Sequence, residues 1–472
     1  MTKIKKILFV YGPVRQKDID AAIVSRDIDV VYCYNVGIVD MGRLRTHFGS
    51  SLEIRIITRN DFNIVDLLAV RGSAFNYIDQ VYGYLDKHKS IPAKWAIEAY
   101  KDNRITLIFK KQIIELLAEW LIAEYLSEKL LDTSSNIFIL AKSDVAEIGT
   151  IYQKLRNNQQ NIIINGGFVS RLKNSIKNSC LFLAVPFYAL ISIRRLRFDG
   201  TPLTAADLAI RLHANIRRAS DKLNPNGYDA LEDYTKDNTS IVYVAEQELS
   251  SCTKLDILTK SQTALLLGRG GFDSITGKFL VFLIKTQLAA ILNVVPLFCK
   301  SSSIFYSILP KISFELLRWN NFGQNYRVGW YITFNNAGKS HITRNLILEK
   351  YGIRTFSYEA SFTDNYFLDS NKSNGLLNPA RAYSVYDTRA YILRDQYQFD
   401  ILHGAEMRHH LTTGALEYRK GELSPGTLDV HKNPLFHFIE CQDKKVISLF
   451  TTSVGQQTMN GENELINFFD VV

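Results

Sequence analysis

Short apolar runs alternate with longer stretches in which apolar positions recur every three or four residues, and this alternation persists through most of the chain. Residues 7–11 (ILFVY), 30–34 (VVYCY) and 54–58 (IRIIT) are rich in β-branched and aromatic side chains, so they are expected to be strands. Residues 111–131 behave differently. There Ile113, Leu116, Leu117, Trp120, Leu121, Tyr125 and Leu130 fall near one face of a helix, which should dock on a core. The alternation restarts with a strand at 137–140, a helix at 145–156 and a strand at 161–165. Further strands are expected at 240–245, 264–267, 294–298, 328–334, 354–358, 382–386 and 400–402. Strands separated by helices form parallel sheets with crossover connections, so the expected fold class is α/β with Rossmann-like parallel sheets.

The tetrapeptide DTSS at 132–135 reads as a linker between an N-terminal α/β module (1–132) and a second unit (133–425). A further break at 416–433 contains Gly421, Pro425 and Gly426. Beyond it, a strand at 446–450 and a helix at 462–469 open a third unit, 440–472, with too few residues to fold alone.

Two apolar runs bear on membranes. Residues 180–193 (CLFLAVPFYALISI) would rise only about 21 Å as a helix, short of a hydrocarbon core of about 30 Å. Residues 279–299 are long enough, but Lys285, Gln287 and Asn293 interrupt them and their end reads as a strand. No membrane-spanning helix is therefore expected. The first run is bracketed by Lys173 and Lys177 before it and by Arg194, Arg195 and Arg197 after it, which suits either an interfacial helix on anionic headgroups or a buried helix with a solvated end. The N-terminal MTKIKKILFVY reads as a first strand, not a signal peptide.

Composition narrows this picture. With 46% apolar and 22% charged residues the chain is of ordinary globular type, which sets aside disordered and fibrous classes. A net charge of +9 favours anionic partners without choosing among nucleotide-sugars, phospholipids and nucleic acid. Five widely spaced cysteines suggest neither a disulfide framework nor a zinc ribbon and fit a reducing compartment.

Candidate chemistry concentrates in 328–361, which parses as strand, polar turn, helix and strand. Asn335, Asn336 and Lys339 lie in or beside the turn, where a parallel sheet and a helix N-terminus favour an anion. The Gly-Lys-Ser at 338–340 is not a P-loop, because that motif needs glycine where Thr333 stands. His341 and Arg344, three apart, share a helix face that either aims at the same cleft or carries ordinary first-turn and solvated residues. Glu359 at the end of the next strand is the general-base candidate, and Asp387 ends the strand after it. His403, Glu406, His409 and His410 suit a polar helix end as well as a metal, so no metal is expected. The glycine turns at 166–167 and 268–271 lack the GxGxxG spacing of a nicotinamide site.

In their order, these features resemble GT-B-type glycosyltransferases of bacterial capsule and surface-polysaccharide synthesis. A strand leads into Asn335-Asn336 with Lys339 and Arg344 on the helix; YGIRTFSYEAS then ends in Glu359 and Ser361, and YSVYDT carries Asp387. LTTGALEY at 411–418 follows, and 444–450 is similar to the first strand of a nucleotide-binding domain. The resemblance implies two Rossmann-like domains facing a cleft. It also implies a nucleotide-sugar donor held mainly by a C-terminal domain that is incomplete here, a lipid-linked or surface-glycan acceptor, and neither metal nor cofactor. Glu359 and His341 would serve catalysis, while Asn335, Asn336, Lys339, Arg344, Ser361 and Asp387 would contact substrate. The expected location is cytoplasmic, peripheral on the inner membrane through Arg194, Arg195 and Arg197, with no nucleic-acid partner. Two other functions stay open: a nucleotide-sugar epimerase using His341 with Glu359, and a non-catalytic carbohydrate- or nucleotide-binding protein.

Overall fold

The computed structural model describes residues 5–34, 52–58, 61–89, 91–129, 136–157, 161–164, 168–198, 203–212, 240–245, 264–266, 271–272, 274–334, 338–359, 377–391 and 396–412. Its first sheet holds β1 (Lys6–Tyr11), β2 (Val30–Tyr34), β3 (Glu53–Ile57), β4 (Asn136–Ala141) and β5 (Asn161–Ile164), all parallel, in the order β3-β2-β1-β4-β5. Side chains alternate across a strand, so β1 sends Leu8 and Val10 to α1 (Gln16–Arg26), where they meet Ile19, Ala22 and Ile23. Phe9 and Tyr11 point the other way, into a helical layer of α2 (Ile64–Gly72), α3 (Ala74–Lys89), α4 (Ala93–Tyr100), α5 (Leu107–Lys129) and α6 (Ser143–Leu155). The division expected at residue 132 is corrected here. β4 pairs with β1 along six residues, so the restart at 137 completes the first unit instead of opening another.

After α7 (Phe168–Ser192), the short strands β6 (Arg195–Arg197) and β10 (Ser274–Thr276) pair with each other. The second sheet is built from β7 (Thr204–Leu212), β8 (Ile241–Ala245), β9 (Ala264–Leu266), β11 (Tyr326–Phe334), β12 (Arg354–Glu359), β13 (Val385–Tyr391) and β14 (Glu406–Thr412). All are parallel, in the order β14-β13-β12-β11-β7-β8-β9. Its helices are α8 (Gly277–Lys300), α9 (Ile308–Asn325), α10 (Lys339–Lys350) and α11 (Gln396–Leu402). Each sheet winds outward from a switch point, β1/β4 in the first and β7/β11 in the second, where a doubly wound sheet opens a crevice at its carboxyl edge.

Three strand expectations fail. Residues 294–298 are the end of α8, 400–402 close α11 with β14 starting four residues later, and the strand placed at 382–386 runs from Val385 to Tyr391. The expectation of no helix able to span a membrane also meets a contrary finding. α7 is 25 residues long, and both α7 and α8 are long and apolar enough to cross a bilayer. The third unit expected at 440–472 lies outside the described residues, as do the linkers at 132–135 and 416–433.

The two units share one core, built around α5. Trp120, Leu117 and Ile113 of that helix belong to the same apolar cluster as Ile139 of the first sheet and Tyr331 and Val385 of the second. Gly149 lets α6 approach closely, since a Cβ there would collide with the Trp120 ring. Polar ties reinforce the junction. Lys111 Nζ donates to the carbonyls of Ala380 (2.7 Å) and Ala382 (2.6 Å), the Tyr100 hydroxyl donates to the Ile312 carbonyl (2.7 Å), and Arg104 pairs with Glu349 at 2.8 Å.

Candidate functional site

β11 and β7 run side by side toward the carboxyl edge of the second sheet, and α10 begins at that edge with Gly338 as its N-cap. Gly338 has no side chain to cap this end, and the His341 N–H donates to the Gly338 carbonyl, which leaves the Lys339 and Ser340 N–H groups without a partner among the described residues and open to an anion. A cavity of about 620 Å³ opens there, lined by Gly338, Lys339, Ser340 and Thr343 of α10. Gln112 and Glu115 enter from α5, Leu181 and Val185 from α7, and Ser307 to Glu315 supply most of the remaining wall. Its polarity is divided. Lys339 forms an ion pair with Glu115 beside Ser340 and Thr343, whereas Leu181, Val185, Ile308, Pro310, Ile312 and Phe314 form an apolar wall. Glu315, also at the wall, accepts a hydrogen bond from the Trp319 indole at 2.5 Å.

Glu119, one helical turn beyond Glu115, links this cavity to the first sheet. Its side chain is exposed, yet the surrounding protein atoms partly desolvate the carboxyl and push it up; the principal opposing charge is Lys142, which follows β4 directly, and Arg71 and Lys339 act in the same sense. Burial also raises the hydroxyl of Tyr11, the last residue of β1, with Glu119 adding to the shift. Glu115, paired with Lys339 at the start of α10, and Glu119, whose charge acts on Tyr11 at the carboxyl edge of the first sheet, stand one turn apart on α5.

The structure divides the expected site residues. Lys339 lines the cavity. His341 does not: it is fully buried, its ring stacks on Tyr386 with centroids 5.3 Å apart, and its Nδ1–H donates to the Gly338 carbonyl. Burial, reinforced by Lys111 and Arg344, holds its pKa well below the usual histidine value, so the ring is neutral. Arg344 is equally enclosed, with its guanidinium 5.1 Å from the Tyr331 ring centroid and its Nε donating to Asn345 Oδ1. The two do share a helix face, but that face packs inward, and Lys339, Ser340 and Thr343 carry the cavity side. Asp387 pairs with Arg354 (3.1 Å) at the opposite end of the strand from the carboxyl edge, near the start of β13, and is not a cavity group. Asn335, Asn336, Ser361 and the side chain of Glu359 lie outside the described residues. Arg194 and Arg195 are exposed; Arg197 is buried and so cannot meet a headgroup as expected.

His403 is a core histidine. Its Nε2 accepts from the Asn378 N–H (2.8 Å), its Nδ1–H donates to the Phe399 carbonyl (2.6 Å), and burial pushes its pKa down to about 4. Glu406, His409 and His410 stand on strand β14 instead of a helix end, and among the described residues no group of three or more His, Cys, Asp or Glu is arranged to hold a metal.

Residue-level reading of the chain missed Glu115, Gln112, Thr343 and Glu315. Their signal was present in part, because Lys111, Glu115 and Glu119 recur every four residues on a helix otherwise apolar enough to be buried. Comparison of the chain with protein-family models, curated proteins and solved structures finds no match.

Proposed function

We propose that this chain is a glycosyltransferase of GT-B type that moves a sugar from a nucleotide-sugar to a lipid-linked glycan acceptor. The observation that carries the proposal is the divided polarity of the cavity beside α10. An acceptor with a sugar head and a hydrocarbon tail needs polar and apolar lining together, and the cavity supplies Lys339, Ser340 and Glu115 along with Leu181, Val185 and Phe314. Two doubly wound sheets packed on the common helix α5 suit a donor and an acceptor brought together from either side. On this reading the two parallel sheets described above are the two Rossmann-like units.

The chemistry follows from the ion pair. The donor diphosphate would take the α10 N-terminus and Lys339, drawing that ammonium from Glu115. The freed carboxylate would then accept the proton of the acceptor hydroxyl as its oxygen bonds to the anomeric carbon and the nucleoside diphosphate leaves. His341, buried and neutral, supports neither this role nor the acid–base pair of an epimerase.

Transfer from a panel of nucleotide-sugars to polyprenyl-phosphate-linked sugars, read by mass spectrometry, tests the proposal. Glu115→Gln should slow transfer at least about a hundredfold while keeping donor binding, and Lys339→Ala should weaken donor binding. Donor binding without transfer to any acceptor would point to a non-catalytic binding protein, and no binding of any nucleotide-sugar would end the proposal.

A further inference from the structure

α7 and α8 form an antiparallel pair: the Ser175 hydroxyl reaches the Phe298 carbonyl, Phe182 packs with Ala290 and Phe298, and Ala189 packs with Phe279 and Leu283. Their inner face packs against α9, with Leu309 in one cluster and Leu317 in the other. Among the described residues, the outer face is apolar and exposed. On α8, Val281, Ile284, Leu288, Ile291, Leu292 and Val295 are all exposed and recur at helical spacing, Leu292 at 77%. On α7 the same holds for Ile176, Phe187 and Ile191. Past α7, Phe198 is 82% exposed and lies against Gly277, the first residue of α8.

Charge frames this face. Neither helix contains an acidic residue. Exposed Lys173, Lys177 and Lys300 stand at one end of the pair, and exposed Arg194, Arg195 and Lys278 at the other. An apolar strip between cationic ends matches the hydrocarbon and anionic headgroup layers of a bilayer surface. A face meeting another folded protein, or a second copy of this cationic face, has no such use for two clusters of like charge.

We propose that the outer face of α7 and α8 lies flat in the surface of an anionic lipid bilayer. The helices have the length to span it, but two observations put them in its plane. One face of the pair packs on α9, whose buried Ser313, Asn321 and Asn325 belong to the protein interior. Lys285 also sits among the exposed apolar positions, about 12 Å from the start of α8, where a spanning helix would carry its ammonium into hydrocarbon and a surface helix lets it reach the headgroups. Leu181, exposed at the edge of this face on α7, also lines the cavity, so the cavity opens beside the docking surface. This docking does not rest on the reaction proposed above.

Flotation of the full chain with phosphatidylcholine vesicles, with and without phosphatidylglycerol, tests the inference. The protein should float with the anionic vesicles, and raised salt should release it. Arg194→Gln with Arg195→Gln should weaken partitioning about fivefold per residue removed. Leu288→Ser with Leu292→Ser, both at exposed positions, should weaken it further while leaving the circular dichroism spectrum unchanged. Vesicle binding indifferent to salt and to both pairs of substitutions overturns the inference, as does absence of binding. A dimer in solution that the leucine substitutions dissociate, without vesicle binding, would assign the face to a second copy instead. Resistance to alkaline carbonate extraction, with protease protection of either helix end, would show spanning and refute the flat orientation.

Discussion

α5 and α8 are nearly equal in length, at 23 and 24 residues, and opposite in fate. α5 carries seven charged residues yet has fifteen buried positions, while α8 carries three lysines, no acid, and five buried positions. Composition alone would assign them the other way round. What decides burial is how many faces are occupied: α5 lies in the core shared by both units, so even Lys111 and Glu124 are enclosed, whereas α8 packs on α7 and α9 through one side and, among the described residues, leaves the other exposed. A charged helix inside the protein and an apolar helix outside it each call for a reason. Glu115 of α5 joins the polar lining of the cavity, Lys111 ties α5 to the Ala380 and Ala382 carbonyls, and the apolar face of α8 is the one proposed above to meet lipid.

The comparison breaks most readily at α5. Trp120→Ala should destabilise the protein by about 3–5 kcal/mol in chemical denaturation, because the cavity it leaves is walled by both units and cannot collapse. Gly149→Ala should cost about 1–3 kcal/mol by forcing α6 away from that ring. A destabilisation below about 1 kcal/mol for Trp120→Ala would mean that the units are not joined through α5.

Lys111 sharpens the contrast through pH. Burial pushes its ammonium from 10.5 down to about 7, so between those values the unfolded chain binds a proton that the folded chain has released. Stability from this group therefore rises with pH from about 7 to 10.5, by up to about 1.4 kcal/mol per pH unit, and the contribution is absent below 7. Lys111→Met should remove that slope, measured as the urea midpoint against pH, even though it leaves the Ala380 and Ala382 carbonyls without their donor. On α8 the expectation is the smallest: Leu292→Ser should change stability by no more than about 0.5 kcal/mol, since its side chain already faces solvent.

Much of this architecture was legible in the residues. The runs at 7–11, 30–34 and 240–245 and the periodic stretch at 111–131 lie where the structure has β1, β2, β8 and α5, because a buried strand or helix writes its period in apolar side chains. β14 (EMRHHLT) was missed because an edge strand with exposed side chains writes no such period. The end of α8 (NVVPLFCK) was read as a strand from its β-branched residues, although Pro296 sits inside the helix. The division at 132 failed because strand order is a long-range property: nothing local to Asn136–Ala141 says that it will pair with Lys6–Tyr11. The site divided in the same manner. Lys339 was found from a strand end followed by a helix start, whereas the spacing of His341 and Arg344 identified a shared face but not the direction in which it turns.

The central claim is that the cavity beside α10 takes an amphipathic glycan acceptor with its tail against α7. A polyprenyl-phosphate-linked sugar carrying a photoreactive diazirine in the isoprene unit nearest the phosphate tests it most directly, with labelled peptides identified by mass spectrometry. The account predicts labelling at Leu181, Val185 and the Ile308–Phe314 segment, reduced by an excess of unmodified acceptor. Labelling confined to other parts of the chain, or unaffected by competition, would contradict it.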